Sequence, residues 1–137
     1  MTKRAALLAM LALLLAAGLY AEKSMDNVAK SQTSARGKIE AGTDRNGNTD
    51  VYIRTWDLAR QKKDAGAFYV VWFQPKDESA KNAGVIKMND DGDGAFRTLT
   101  PLKDFDVFIT VESDQAATSP SGEELLRTHI AKDEIDD

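Results

Sequence analysis

Two short acidic loops, one histidine, a carboxylate pair and four aromatic side chains are the residues of this chain whose types and spacing could do chemistry. Asn89-Asp90-Asp91-Gly92-Asp93-Gly94 gathers three carboxylates and an amide oxygen, and calcium takes six or more oxygen ligands. Threaded as an EF-hand loop, Asn89, Asp91 and Asp93 fill the first, third and fifth positions and Gly94 the sixth. The twelfth is Thr100, where a bidentate glutamate is required, and no helical pattern flanks the loop, so an EF-hand is excluded. Asn89, Asp91 and Asp93 remain the metal candidates. The plainer reading is a solvated hairpin turn in which Gly92 or Gly94 takes positive φ. Asp44-x-Asn46-x-Asn48-x-Asp50 poses the same alternatives, lacks a glycine at the sixth position and reads as a turn over Asp44–Asn48, its Asn46-Gly47 pair being a hairpin signal.

His129 is the single histidine and the chain has no cysteine, which excludes the usual zinc sites. A Ser-His-Asp arrangement is formally possible, but no nucleophile-elbow sequence accompanies His129. Glu112 and Asp114 could form a carboxylate pair for glycoside chemistry only if the fold set the right separation. Among Tyr52, Trp56, Tyr69 and Trp72, strand alternation puts Tyr52 and Trp56 on one face and separates Tyr69 from Trp72. Trp72 sits in an apolar run and reads as core. Tyr52 and Trp56, with Arg54 between them, are the candidates for surface contact. No residue is assigned a catalytic or cofactor-binding role, and the expectation is a non-enzymatic protein without a cofactor.

The elements that must position these residues are short strands between turn clusters. Gly37–Ala41 is a weak first strand. Thr49–Leu58 alternates, with Val51, Ile53 and Thr55 on one side and Tyr52, Arg54 and Trp56 on the other. Phe68–Phe73 is continuously apolar, which predicts a central strand covered on both faces and ended by Pro75. Gly84–Met88 and Ala95–Thr100 flank the acidic loop. Phe105–Glu112 alternates again, and Leu125–Ile130 closes the set. Asp57–Lys63 is the only helical candidate among them. About seven strands at this spacing predict an all-β fold, a single antiparallel β-sandwich of immunoglobulin-like type.

Ahead of it, Met1-Thr2-Lys3-Arg4, an apolar run from Ala5 to Leu19 and a small residue at Ala21 have the layout of a helical secretory signal peptide over residues 1–21. The apolar run is shorter than the roughly 20 residues of a spanning helix, and the competing reading is an uncleaved anchor. Residues 22–36 are polar without a repeating period and read as a flexible linker, and residues 132–137 as a frayed tail around a 37–131 sandwich. Removing 21 of the 137 residues takes Lys3 and Arg4 and no acid, leaving 116 residues with 16 basic and 22 acidic side chains, a balance of −6. That acidity argues against nucleic-acid or anionic-lipid partners; a membrane is involved only if the leader is retained.

The order of elements also resembles the extracytoplasmic C-terminal domain of the anti-sigma-K factor family. Tyr69-Val70-Val71-Trp72-Phe73 is similar to that family's central strand, and Ala83-Gly84-Val85-Ile86 to the strand that follows. Asp93-Gly94-Ala95-Phe96-Arg97 resembles its Asp-Gly turn and return strand. Phe105–Glu112 resembles its penultimate strand ending in Thr-Val-Glu, and Ser119-Pro120-Ser121-Gly122 its Pro-x-Gly turn. The resemblance implies the sandwich and an extracytoplasmic setting. It does not imply sigma-factor inhibition, because only four residues precede the apolar run. The expectation is a periplasmic or secreted module that binds an envelope or extracellular protein, with a carbohydrate-binding module as the alternative and a hydrolase third.

Overall fold

The computed structural model describes residues 20–59 and 67–135. Residues 1–19 of the expected leader, most of the Asp57–Lys63 helical candidate, and Asp136 and Asp137 lie outside them. Ten strands are present: β1 (Tyr20–Ser24), β2 (Asp26–Asn27), β3 (Arg36–Thr43), β4 (Thr49–Trp56), β5 (Phe68–Pro75), β6 (Lys81–Val85), β7 (Lys87–Met88), β8 (Gly94–Thr100), β9 (Phe105–Glu112) and β10 (Glu124–Ile130), followed by a one-turn helix α1 (Lys132–Ile135). They form two five-stranded sheets, ordered β1-β3-β4-β8-β7 and β2-β10-β9-β5-β6, with every pairing antiparallel.

The core follows from alternation. Ile39, Ala41, Val51, Ile53 and Phe96 of the first sheet meet Tyr69, Val71, Phe73, Phe105, Val107 and Ile109 of the second. β5 is apolar on both faces because its other face is also covered. Val70 and Trp72, with Phe108 of β9, form a second cluster against Phe68, Ala80, Val85 and Ala117.

The strand count exceeds the expected seven because two segments switch sheets. Gly84–Met88 reads as one strand in the sequence, but β6 belongs to the second sheet and β7 to the first. Ile86, buried between them, donates its N–H to the Tyr69 carbonyl at 2.9 Å. Just before it, where the register of β6 against β5 shifts, Gly84 takes φ 139°, a value that glycine adopts without a Cβ penalty.

The N-terminal segment makes the second switch and corrects the expected linker. β1 lies at the edge of the first sheet and β2 at the edge of the second, with Met25 buried between them. Residues 28–35 are fixed by side-chain chemistry in place of periodicity. The Asn27 amide donates to the Ala35 carbonyl at 2.7 Å, and Glu123 accepts from the backbone N–H groups of Lys30 and Ser31 and from the Ser31 hydroxyl. The expected tail is likewise ordered over its described part. Ile135 is buried, and its carbonyl accepts from the Thr43 hydroxyl at 2.6 Å.

Candidate functional site

The acidic loop turns out to be a self-satisfied turn. The Asn89 side-chain oxygen accepts from the backbone N–H groups of Asp91 and Asp93 at 3.0 and 2.9 Å, and Gly92 takes φ 85°. The Asp44 loop repeats the device: its carboxylate oxygen accepts from Asn46 and Asn48 at 2.9 and 2.8 Å, and Gly47 has φ 82°. In both, an Asx side chain caps its own hairpin. The oxygen that calcium would need from Asn89 is engaged by the backbone. No group of three or more acidic, cysteine or histidine side chains that could hold a metal ion occurs among the described residues, at Asn89, Asp91 and Asp93 or elsewhere.

Glu112 and Asp114 are engaged separately, Asp114 accepting from the Ala116 N–H at 2.9 Å. Glu112 is 3% exposed. Its carboxylate accepts from the Thr110 hydroxyl at 2.6 Å, the Ser121 hydroxyl at 2.7 Å and the backbone N–H groups of Ser121 and Gly122. Burial alone would raise its pKa, but these donors outweigh burial and hold it below the ordinary carboxylate value. Thr110 in turn accepts from the Trp72 indole N–H at 2.8 Å. The chain Trp72–Thr110–Glu112 ties the 113–122 loop down onto the outer face of the second sheet, where Asn82 donates to the Gln115 and Ala117 carbonyls. Gly122 is required here: a Cβ would lie 1.5 Å from the Val111 carbonyl oxygen.

His129 stands at a cleft of about 470 Å³ where β5 ends and β9 begins, lined by Gln74, Pro75, Lys76, Asp77, Asp104 and Asp106. Its ring nitrogens approach two carboxylates, Nε2 to Asp104 at 2.6 Å and Nδ1 to Asp106 at 2.7 Å. A neutral imidazole can donate through only one nitrogen, so this geometry suits the imidazolium. The hydrogen bond to Asp106 is the first cause raising the pKa above its ordinary value, opposed by burial and joined by Asp104. Among the described residues that line the cleft there is no serine, threonine or cysteine beside His129. His129 closes a latch between the β8–β9 connection and the second sheet.

Tyr52 and Trp56 do share a face, the outer face of the first sheet, four strand residues or about 13 Å apart. The register places Glu40 opposite Tyr52 and Arg36 opposite Trp56, with Arg97 opposite Tyr52 on the other side. Both aromatics are half-buried. The guanidinium carbons of Arg54 and Arg36 lie 5.4 and 5.8 Å from the centre of the Trp56 ring, within cation–π range. Leu99 of β8, 54% exposed, lies on the same face opposite Asp50. Asp50 itself is buried and anchors the face. Arg97 grips its carboxylate with two bonds of 3.1 and 2.7 Å, and the Tyr20 hydroxyl donates to it at 3.1 Å. The Arg97 hydrogen bond, helped by Tyr20 and opposed by burial, holds Asp50 below the ordinary aspartate value.

The aromatic pair and Arg54 between them were visible in alternation; Arg36, the Arg97 grip on Asp50, and Leu99 were not, because they depend on which strands pair. No family model matches the chain, and neither a curated protein nor a solved structure matches it. No helix among the described residues is long and apolar enough to cross a membrane.

Proposed function

We propose that this chain is a non-enzymatic, extracytoplasmic β-sandwich module that binds a protein through the outer face of its first sheet. One observation carries the reading: the two outer faces are treated differently. On the second sheet, Trp72 and Phe108 are shielded by the 113–122 loop and by Arg127, whose guanidinium lies 4.3 Å from the Phe108 ring centre. On the first sheet, Leu99 is 54% exposed and Tyr52 and Trp56 are only half-buried, with the Arg36 and Arg54 guanidinium groups against the Trp56 ring. Tryptophan, tyrosine and arginine are the side chains that dominate protein–protein interface energies.

The extracytoplasmic setting rests on the basic-then-apolar pattern of residues 1–21. Kinship with the extracytoplasmic domain of the anti-sigma-K family belongs to the same proposal and rests on the ordered motifs from Tyr69 to Gly122. The immunoglobulin likeness we propose is architectural, two antiparallel sheets face to face. Taking β1 and β2 together as one sheet-switching first strand, the next two, β3 and β4, pair within one sheet, whereas immunoglobulin domains put their second and third strands in opposite sheets. A sugar-binding reading is weaker, since both guanidinium groups already approach the Trp56 ring on which a sugar would stack.

The test is affinity capture from the native envelope fraction with the wild-type chain and a Tyr52→Ala/Trp56→Ala/Leu99→Ala variant of equal thermal stability. A specific protein retained by the first and lost by the second supports the reading. Identical captures from both would overturn it.

A further inference from the structure

We infer that the surface docking on the first sheet is an acidic protein segment, one presenting several aspartate or glutamate side chains. The inference rests on the docking reading above and adds the chemistry of the occupant.

The outward positions of the first sheet carry five basic side chains, Arg36, Lys38, Arg54, Lys87 and Arg97, against three acidic ones, Glu22, Glu40 and Asp50. The remaining described residues have eight basic and sixteen acidic side chains. A net positive face thus sits on an otherwise acidic molecule, and such asymmetry orients an approaching partner of opposite charge.

Register sharpens this. Lys38 is directly opposite Arg54, Arg54 is opposite Ala95, and Ala95 is opposite Lys87. One line across β3, β4, β8 and β7 therefore bears three cations separated by one small residue. Like charges directly opposite one another disfavour the sheet, so folding does not explain the row. Lys38 lies 3.4 Å from Glu22, and Arg36 and Arg97 have carboxylate partners. Arg54 and Lys87 have neither an ion pair nor a hydrogen bond among the described residues. Arg54 rests against Trp56 with its N–H donors unclaimed, and a guanidinium matches a carboxylate through two parallel bonds. Two unclaimed cations with exposed Ala95 between them form a strip on which an extended acidic segment can lie across the strands. An anionic glycan would supply carboxylates too, but its sugar rings need the aromatic face that the guanidinium groups occupy.

The test uses the full chain and three probes: a deca-glutamate peptide, a deca-serine peptide and polygalacturonate. Expected are saturable binding of deca-glutamate that weakens as salt rises, no binding of deca-serine, and a loss of tenfold or more in Arg54→Ala/Lys87→Ala with a flatter salt dependence. Thermal unfolding of that variant should match or exceed the wild type, because the like-charge row is relieved. Tighter binding of polygalacturonate through the same two residues would overturn the inference in favour of a glycan. Self-association of the wild type that the double variant abolishes would overturn it in favour of a second copy. If a protein captured through Tyr52, Trp56 and Leu99 is still captured after Arg54→Glu/Lys87→Glu, the acidic-segment inference fails while the docking face stands.

Discussion

Glu112 shows how one residue can look catalytic in a sequence and be structural in the fold. It ends an alternating strand, two positions before Asp114, and that is all the sequence offers. In the folded chain its carboxylate accepts every bond within reach from Thr110, Ser121 and Gly122. Glu112→Gln keeps the shape but turns an N–H₂ group toward N–H donors. We predict a loss of about 2–3 kcal/mol, the scale of a buried charged hydrogen bond removed from one side, read as a lowered midpoint in urea. Gly122→Ala should cost about 3 kcal/mol, because its Cβ collides with the Val111 carbonyl. An unchanged midpoint in Gly122→Ala would mean that the 113–122 loop is not held as described.

At the scale of elements, long strands were legible and short ones were not. Thr49–Trp56 and Phe105–Glu112 have enough residues to show a period of two, and their faces are those the alternation predicts. β1 and β2 have five and two residues, too few for a period, and their order comes from Met25 packing and from capping by Asn27 and Glu123. Gly84–Met88 showed apolar character but not that Ile86 carries the chain from one sheet to the other. Loop chemistry was legible where an Asx residue precedes a glycine, as at Asp44 and Asn89. The candidate face was half legible: alternation paired Tyr52 with Trp56, whereas the cationic row exists only once β7 and β8 are in register with β4.

The edge strand β1 also bears on the leader. A cut after Ala21 removes two of its five residues, including the Tyr20 hydroxyl that donates to Asp50. A chain beginning at Glu22 should therefore be less stable than one beginning at Tyr20 by about 1–2 kcal/mol. Differential scanning calorimetry of the two would show it, and equal melting temperatures would contradict the role given to Tyr20.

The whole molecule should be most stable in mildly acidic solution. Asp50, Glu112 and Glu134 are held below their ordinary values of 3.8, 4.5 and 4.5. Their contribution is complete above those values and is lost as pH falls through the lower folded ones. His129 is raised above 6.5, so its contribution is complete below 6.5 and is lost as pH rises through the folded value. The groups facing it are Asp104 and Asp106, with Arg127 on Asp106, Lys23 on its carbonyl, and Glu134 nearby. Stability measured by urea titration should decline above neutrality in the wild type and lose that decline in His129→Gln. A wild-type profile that is flat from pH 6 to 9 would contradict the latch.

The proposed docking role rests on the asymmetry between a covered second sheet and a more exposed, arginine- and aromatic-bearing first sheet. Site-specific photocrosslinking tests it most directly, with the photoreactive side chain placed at Leu99 on the open face or at Ser119 on the loop that covers the other. In its native envelope the Leu99 probe should yield a discrete adduct with one protein, and the Ser119 probe should yield none. Adducts formed equally from both positions, or from neither, would contradict the account.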